Sequence, residues 1–111
     1  MPTKTEIAAK VLKKINALDV DESPTAKDAE ITEAIVQSVY DKLKELGKIH
    51  WPLTDLPSHS EDAFIVYAGW HVQPDYGLNT IDIGRAASAE RDLAALSANR
   101  YDTRNEPLVD F

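Results

Sequence analysis

One stretch interrupts the helical pattern of this 111-residue chain, Trp70-His71-Val72-Gln73-Pro74-Asp75-Tyr76-Gly77-Leu78. Proline lacks a backbone donor and disfavours helical geometry in the residue before it, so we expect the preceding helix to stop near Gln73. Gly77 tolerates the left-handed conformation that a sharp reversal needs. The stretch therefore predicts a bend between two packed helices.

On both sides of this bend, apolar residues recur with the period of a helix. The predicted helices run from about Thr5 to Leu18, from about Pro24 or Ala26 to Leu46, from about Ser60 to Val72, and from about Asn79 or Thr80 to Ala98. The third is apolar nearly all round, which is typical of a buried helix. The fourth is rich in alanine, which favours helix and lets a neighbour approach closely.

Capping patterns mark several predicted helix ends. Capping-box spacing occurs twice before a helix, and a serine followed by a proline precedes the second helix. A glycine follows the second helix, where a C-terminal cap is expected. The residues concerned are Thr3 with Glu6, Ser58 with Glu61, Ser23 with Pro24, and Gly47.

The fold class predicted from these patterns is all-α: a small bundle of about four helices with an extended C-terminal tail. We place the bundle in residues 1–98 and the tail in 99–111. The tail is polar, but apolar side chains punctuate it, namely Tyr101, Leu108, Val109 and Phe111. This pattern suits a segment that orders when it docks on a partner, and a frayed terminus is an equally good interpretation.

Composition limits the function classes. The net charge of −7 opposes tight, sequence-specific binding of DNA, which depends on clustered Lys and Arg. No apolar run approaches the roughly 20 residues of a membrane helix, so we expect no membrane partner. The first residues lack the apolar core of a signal peptide, and we expect a protein that acts in the cytoplasm or within an assembly.

No residue pattern indicates catalysis. The chain has no cysteine, no nucleophile elbow and no phosphate-binding glycine loop. Its histidines, His50, His59 and His71, do not pair at the spacing that places two imidazoles on one metal. We therefore expect neither an enzyme nor a metal or cofactor site.

The aromatic residues and the bend are the remaining candidates for a functional site. Aromatic side chains bury a large apolar surface when they pack. We expect this packing either in the core and bend or against a second subunit, for Trp51, Tyr67, Trp70 and Tyr76. The sequence leaves both interpretations open. The residues we assign to bend or subunit packing are Trp70, Pro74, Asp75, Tyr76 and Gly77.

The order of these features resembles the head-to-tail connector, or adaptor, proteins of tailed bacteriophages, and within them the tail accessory factors of short-tailed phages. The resemblance covers nearly the whole chain. It rests on Lys4-Thr5 with Ile7, Ala8, Val11 and Leu12, on Asn16-Ala17-Leu18, on Leu43-Lys44-Glu45-Leu46-Gly47-Lys48-Ile49, and on Gln73-Pro74-Asp75-Tyr76-Gly77-Leu78. An acidic connection, a proline-rich loop, an aromatic helix and an alanine-rich helix complete the pattern.

The resemblance implies a structural protein of the virion neck, made in the host cytoplasm. It implies a homo-oligomeric, dodecameric ring beneath the portal, which extends the channel for passing genomic DNA and offers a platform to the next tail component. It also implies that the C-terminal segment docks on the portal protein, which would assign that role to Tyr101, Leu108, Val109 and Phe111.

Two other function classes stay open from the sequence. One is a small cytoplasmic helical regulator or interaction module, which would be a monomer or dimer without affinity for portals. The other is a small hydrolase, which would need clustered carboxylates or histidines in a concave pocket.

Overall fold

The computed structural model describes the backbone of residues 3–19 and 22–109 and the side chains of those residues as far as Ser97. The helices are α1 (Lys4–Lys14), α2 (Ala26–Glu45), α3 (Ser58–Val72) and α4 (Ile83–Val109). Two short 3-10 helices, Leu53–Asp55 and Gln73–Tyr76, lie between them, and the described residues contain no strand. The prediction of an all-α bundle of about four helices with an extended C-terminal tail is confirmed.

The third helix is the centre of the bundle, because α3 packs against α1, α2 and α4. Its buried side chains include Phe64, Ile65 and Val72. Around them lies one continuous core, to which α1 and the residue after it contribute Ile7, Val11, Leu12 and Ile15, and α2 contributes Val36, Val39, Tyr40 and Leu43. The prediction that the third helix is the buried one is confirmed.

Three helical segments end in the same backbone motif. In each, one residue takes a positive φ, namely Asn16 (66°), Gly47 (76°) and Gly77 (67°). The amide of the following residue bonds back to a carbonyl five residues earlier, from Ala17 to Leu12, from Lys48 to Leu43 and from Leu78 to Gln73. This is the Schellman arrangement, which satisfies carbonyls left without a helical partner.

These motifs explain which of the predicted C-terminal helix ends are confirmed. The cap at Gly47 and the left-handed conformation at Gly77 are confirmed, and the helix before Pro74 stops at Val72, close to the predicted Gln73. The predicted end of α1 at Leu18 is wrong. Asparagine tolerates the left-handed region, so Asn16 closes the helix at Lys14.

The N-terminal caps agree with the sequence only in part. The capping box of Thr3 and Glu6 is present. The predicted cap at Ser23 is wrong, because Thr25 has the extended conformation of a capping residue and its hydroxyl accepts from the amide of Asp28.

The second predicted capping box is also wrong. The amide of Glu61 donates to the carbonyl of Pro57, so Ser58 is already the first residue of α3 and its hydroxyl cannot cap from outside. At α4 the capping side chain is Asp82, whose carboxylate accepts from the amide of Arg85 at 2.8 Å.

The fourth helix differs from its prediction at both ends. It begins at Ile83 instead of Asn79 or Thr80, and it continues past Ala98 to Val109. It therefore crosses the predicted boundary between the bundle (1–98) and the tail (99–111).

The residues assigned to portal docking fall in or beyond this last part of the chain. The backbone of Tyr101, Leu108 and Val109 belongs to α4, but their side chains lie outside the described part of the chain. Phe111 lies outside the described residues altogether.

Close packing around Gly69 generates the first prediction. A Cβ atom there would lie 2.8 Å from Cδ1 of Ile81 and 3.0 Å from Cγ2 of Ile15, and both isoleucines are buried. We expect Gly69→Val to lower the free energy of unfolding by about 2 kcal/mol through overpacking, measured by urea denaturation.

The exposed position Ala87 on α4 provides the control, because Ala87→Val adds the same branched side chain without a buried contact. Its cost should be only about 0.5 kcal/mol of helix propensity. Equal costs for the two variants would contradict the packing argument.

Candidate interaction site at the bend

The bend is held by a buried side-chain amide. Gln73 is 5% exposed, and its Nε2 donates to the carbonyl of Ile81 at 2.7 Å. Its Oε1 accepts from the amide of the same Ile81 at 2.9 Å. One side chain thus satisfies both backbone groups of a residue that is itself only 1% exposed. The two bonds fix where the chain turns back toward α4.

Two further hydrogen bonds connect the bend to the other helices. The hydroxyl of Thr80 donates to the carbonyl of Ile15 at 2.8 Å, just after the end of α1. The hydroxyls of Tyr76 and Thr32 lie 3.2 Å apart, which joins the bend to a fully buried residue of α2. These two bonds fix residues 73–81 to the bundle at two points, in addition to the internal pairing of Gln73 with Ile81.

The structure brings the predicted bend residues together at the C-terminal end of α3. Pro74 and Asp75 are exposed in the 3-10 helix, Gly77 ends it, and Trp70 and Tyr76 are half-buried. Tyr76 packs against the core, and the assignment of Tyr76 and Gly77 as functional bend residues stays a prediction. The part these five residues take in contacts between subunits stays a prediction.

An aromatic surface lies beside the bend on α3, and we define it as Tyr67, Trp70 and His71. The ring centroids of Tyr67 and His71 are 4.8 Å apart, and those of Trp70 and His71 are 5.0 Å apart, both in edge-to-face geometry. All three side chains are half-buried. Next to them Leu46, at the end of α2, is 57% exposed. The surface combines apolar area with polar tips, as in many protein–protein contacts.

A small cavity of about 200 Å³ opens between α2 and this surface. Its walls include the Lys42 ammonium, the Ser38 hydroxyl and the His71 imidazole. Nε2 of His71 is shielded from solvent and has no hydrogen-bond partner among the described residues. Burial lowers the pKa of His71, nearby Lys42 lowers it further, and Glu90 acts in the opposite sense. The imidazole is therefore held toward its neutral form.

Trp51 has a different place from the other three aromatics. It is 5% exposed within the core, and its backbone carbonyl accepts from the Tyr40 hydroxyl at 2.7 Å. Trp51 therefore packs in the core, whereas part of the surface of Tyr67, Trp70 and Tyr76 stays exposed to solvent.

From the sequence, Gln73 was identified only as the end of a helix, and its hydrogen bonds to Ile81 were missed. The contacts of Thr80 and Gly69 were also missed. An amide side chain directly before a proline at a helix end was the available signal. The partner residue lies eight positions further along the chain, and no local pattern points to it.

Several further observations bear on function class. Among the described side chains, which belong to residues 3–19 and 22–97, no group of three or more from His, Cys, Asp or Glu is placed to hold a metal ion. In the part of the chain whose backbone is described, no helix combines the length and hydropathy needed to cross a bilayer. Comparisons with protein-family models, curated proteins and solved structures find no match to this chain.

The buried amide generates the second prediction. Gln73→Leu keeps the side-chain volume but leaves the amide and carbonyl of Ile81 without partners in the core. We expect the free energy of unfolding to fall by about 3 kcal/mol, measured by urea denaturation, because each orphaned buried group costs about 1–3 kcal/mol. Gln37→Leu is the matched control, since Gln37 bonds only to Asp41 at the surface, and it should cost less than about 0.5 kcal/mol. A similar cost for both would contradict the assigned role.

The imidazole of His71 generates the third prediction. The pKa of His71 is lower in the folded protein than in the unfolded chain, so the unfolded chain binds more protons as the pH falls below about 6.5. This group therefore contributes stability above that pH, which is lost as the pH decreases toward the folded pKa. We expect the free energy of unfolding of wild type, relative to that of His71→Phe, to decline between pH 8 and pH 5. A constant difference across this range would contradict the prediction.

Proposed function

We propose that this protein is a head-to-tail connector of a tailed bacteriophage. It would assemble as a ring beneath the portal protein in the virion neck, extend the DNA channel and carry the next tail component. The proposal rests on the resemblance along the chain, and the observation that carries it furthest is the bend. That bend, the most specific part of the resemblance, is hydrogen-bonded to Ile15 just after α1 and to Thr32 on α2, and an open aromatic surface lies beside it.

The aromatic surface and the bend support a role in subunit contact. Half-buried aromatics beside a rigid turn offer apolar area whose geometry is set before association, so little conformational freedom is lost on binding. In the proposed ring, Trp70 and Tyr76 of one subunit would pack against the next. A closed ring of identical copies needs such a surface on every subunit.

The charge balance supports the proposed passage of DNA. The net charge is −7. Within the described residues, few carboxylates take part in ion pairs, and most lie at the surface. An acidic channel wall repels the phosphate backbone and lets it pass without sequence-specific binding.

A second candidate, a helical interaction module that binds another protein without forming a ring, is favoured by the same aromatic surface. Leu46 and the half-buried Tyr67, Trp70 and His71 form a patch that fits a single partner as well as a neighbouring subunit. The two candidates differ in whether a portal ring is bound.

Electron microscopy of the protein mixed with portal-bearing particles tests the proposal and gives the fourth prediction. We expect a collar of this protein at the portal vertex. Deleting Tyr101 to Phe111 should abolish binding to the portal and leave the urea unfolding transition of the bundle nearly unchanged, because the described side chains, which end at Ser97, already form a continuous core.

Full-length protein with Trp70→Ala provides a complementary variant, because it keeps the proposed docking segment and alters the proposed contact between subunits. It should bind the portal with an incomplete collar. Absence of any collar with wild-type protein would contradict the connector and favour the interaction module. Full binding by the truncated protein would contradict the assignment of the tail.

A further inference from the structure

An open groove of about 720 Å³ runs between α3 and α4, on a part of the molecule that the proposed function does not use. Its apolar lining includes Ala63 and the half-buried Val66 and Leu96. Three exposed charged residues also line it: Asp62 on α3, and Arg85 and Asp92 on α4. None of these three forms an ion pair with another residue of the described part of the chain.

We propose that this groove receives α4 of a second copy of the chain, so that two copies pair about a two-fold axis with their fourth helices antiparallel. The pairing concerns the free protein. It does not rest on the proposed connector function, and the two proposals use different surfaces.

The charges on α4 are self-complementary in this arrangement. Arg85 and Asp92 are seven residues apart, which places them on one helical face, about 10.5 Å from each other along the axis. If two antiparallel copies cross between Ser88 and Ala89, Arg85 meets the partner's Asp92, and symmetry repeats the pair on the other side. A two-fold contact requires a surface that matches itself in this way.

The groove adds two features to this match. Asp62 lines the same groove from α3, so the arriving Arg85 of the second copy meets carboxylates from both helices. The side chains at the crossing, Ser88 and Ala89, are small and allow two helix axes to approach to about 8–10 Å. Val66 and Leu96 then lose their remaining contact with water, which favours association.

Sedimentation equilibrium of the full-length protein tests the pairing. We expect wild type to show twice the 12.3 kDa mass of one chain at micromolar concentration. Arg85→Asp and Asp92→Arg should each weaken the dimer at least tenfold, because each change places like charges opposite one another twice. The double variant Arg85→Asp/Asp92→Arg restores opposite charges and should return the dissociation constant to within about threefold of wild type.

Lys27→Asp is the matched control, since it makes the same charge change at an exposed position on α2. It should leave the dissociation constant unchanged. A single-chain mass for wild type would overturn the inference, as would a dimer that neither single substitution weakens or a double variant that stays dissociated. None of these measurements involves portal binding, so the pairing and the connector function are tested independently.

Discussion

The structure depends on the pairing of the Gln73 side chain with the backbone of Ile81. Where α3 ends, the chain must leave the core, turn and return, and its backbone groups lose their helical partners in an apolar environment. A buried amide or carbonyl without a partner costs about 1–3 kcal/mol. The planar amide of Gln73 offers an N–H donor and a carbonyl acceptor side by side, and it satisfies both backbone groups of Ile81 at once. The position of α4 on α3 follows from this turn.

The same turn separates the buried face of α3 from the surfaces that remain exposed to solvent. Gly69 lets Ile15 and Ile81 approach α3 on its buried side, and the bend then leaves Trp70 and Tyr76 half-buried on the other. The α3–α4 groove opens further along the same two helices. The molecule thus has two open surfaces of different chemistry, an aromatic one beside the bend and a charged, small-residue one along α4. The proposed contact between ring subunits uses the first, and the proposed pairing of free copies uses the second.

Most of the fold was predictable from local sequence patterns. The helical period of apolar residues, Pro74 and Gly77 each determine the conformation of residues close to them in the chain. The predicted caps at Ser23 and Ser58 were wrong because the helices begin at other residues than expected: the Thr25 hydroxyl caps α2, and Pro57 precedes α3 without a side-chain cap. The bend residues of the candidate site were also predictable from the proline and glycine. Its central contact was not, since Gln73 and Ile81 are joined only in the folded chain. The groove charges Arg85 and Asp92 share a helical face, but their opening to a second copy depends on how α4 packs.

The bend belongs to the core and is held there by one amide side chain. Native-state hydrogen exchange at the Ile81 amide measures this, because that amide lies outside every described helix and donates to Gln73. We expect the Ile81 amide to exchange only through global unfolding, at the rate of the core amides of α3. Exchange of the Ile81 amide with the low protection of a solvent-exposed loop amide would contradict it.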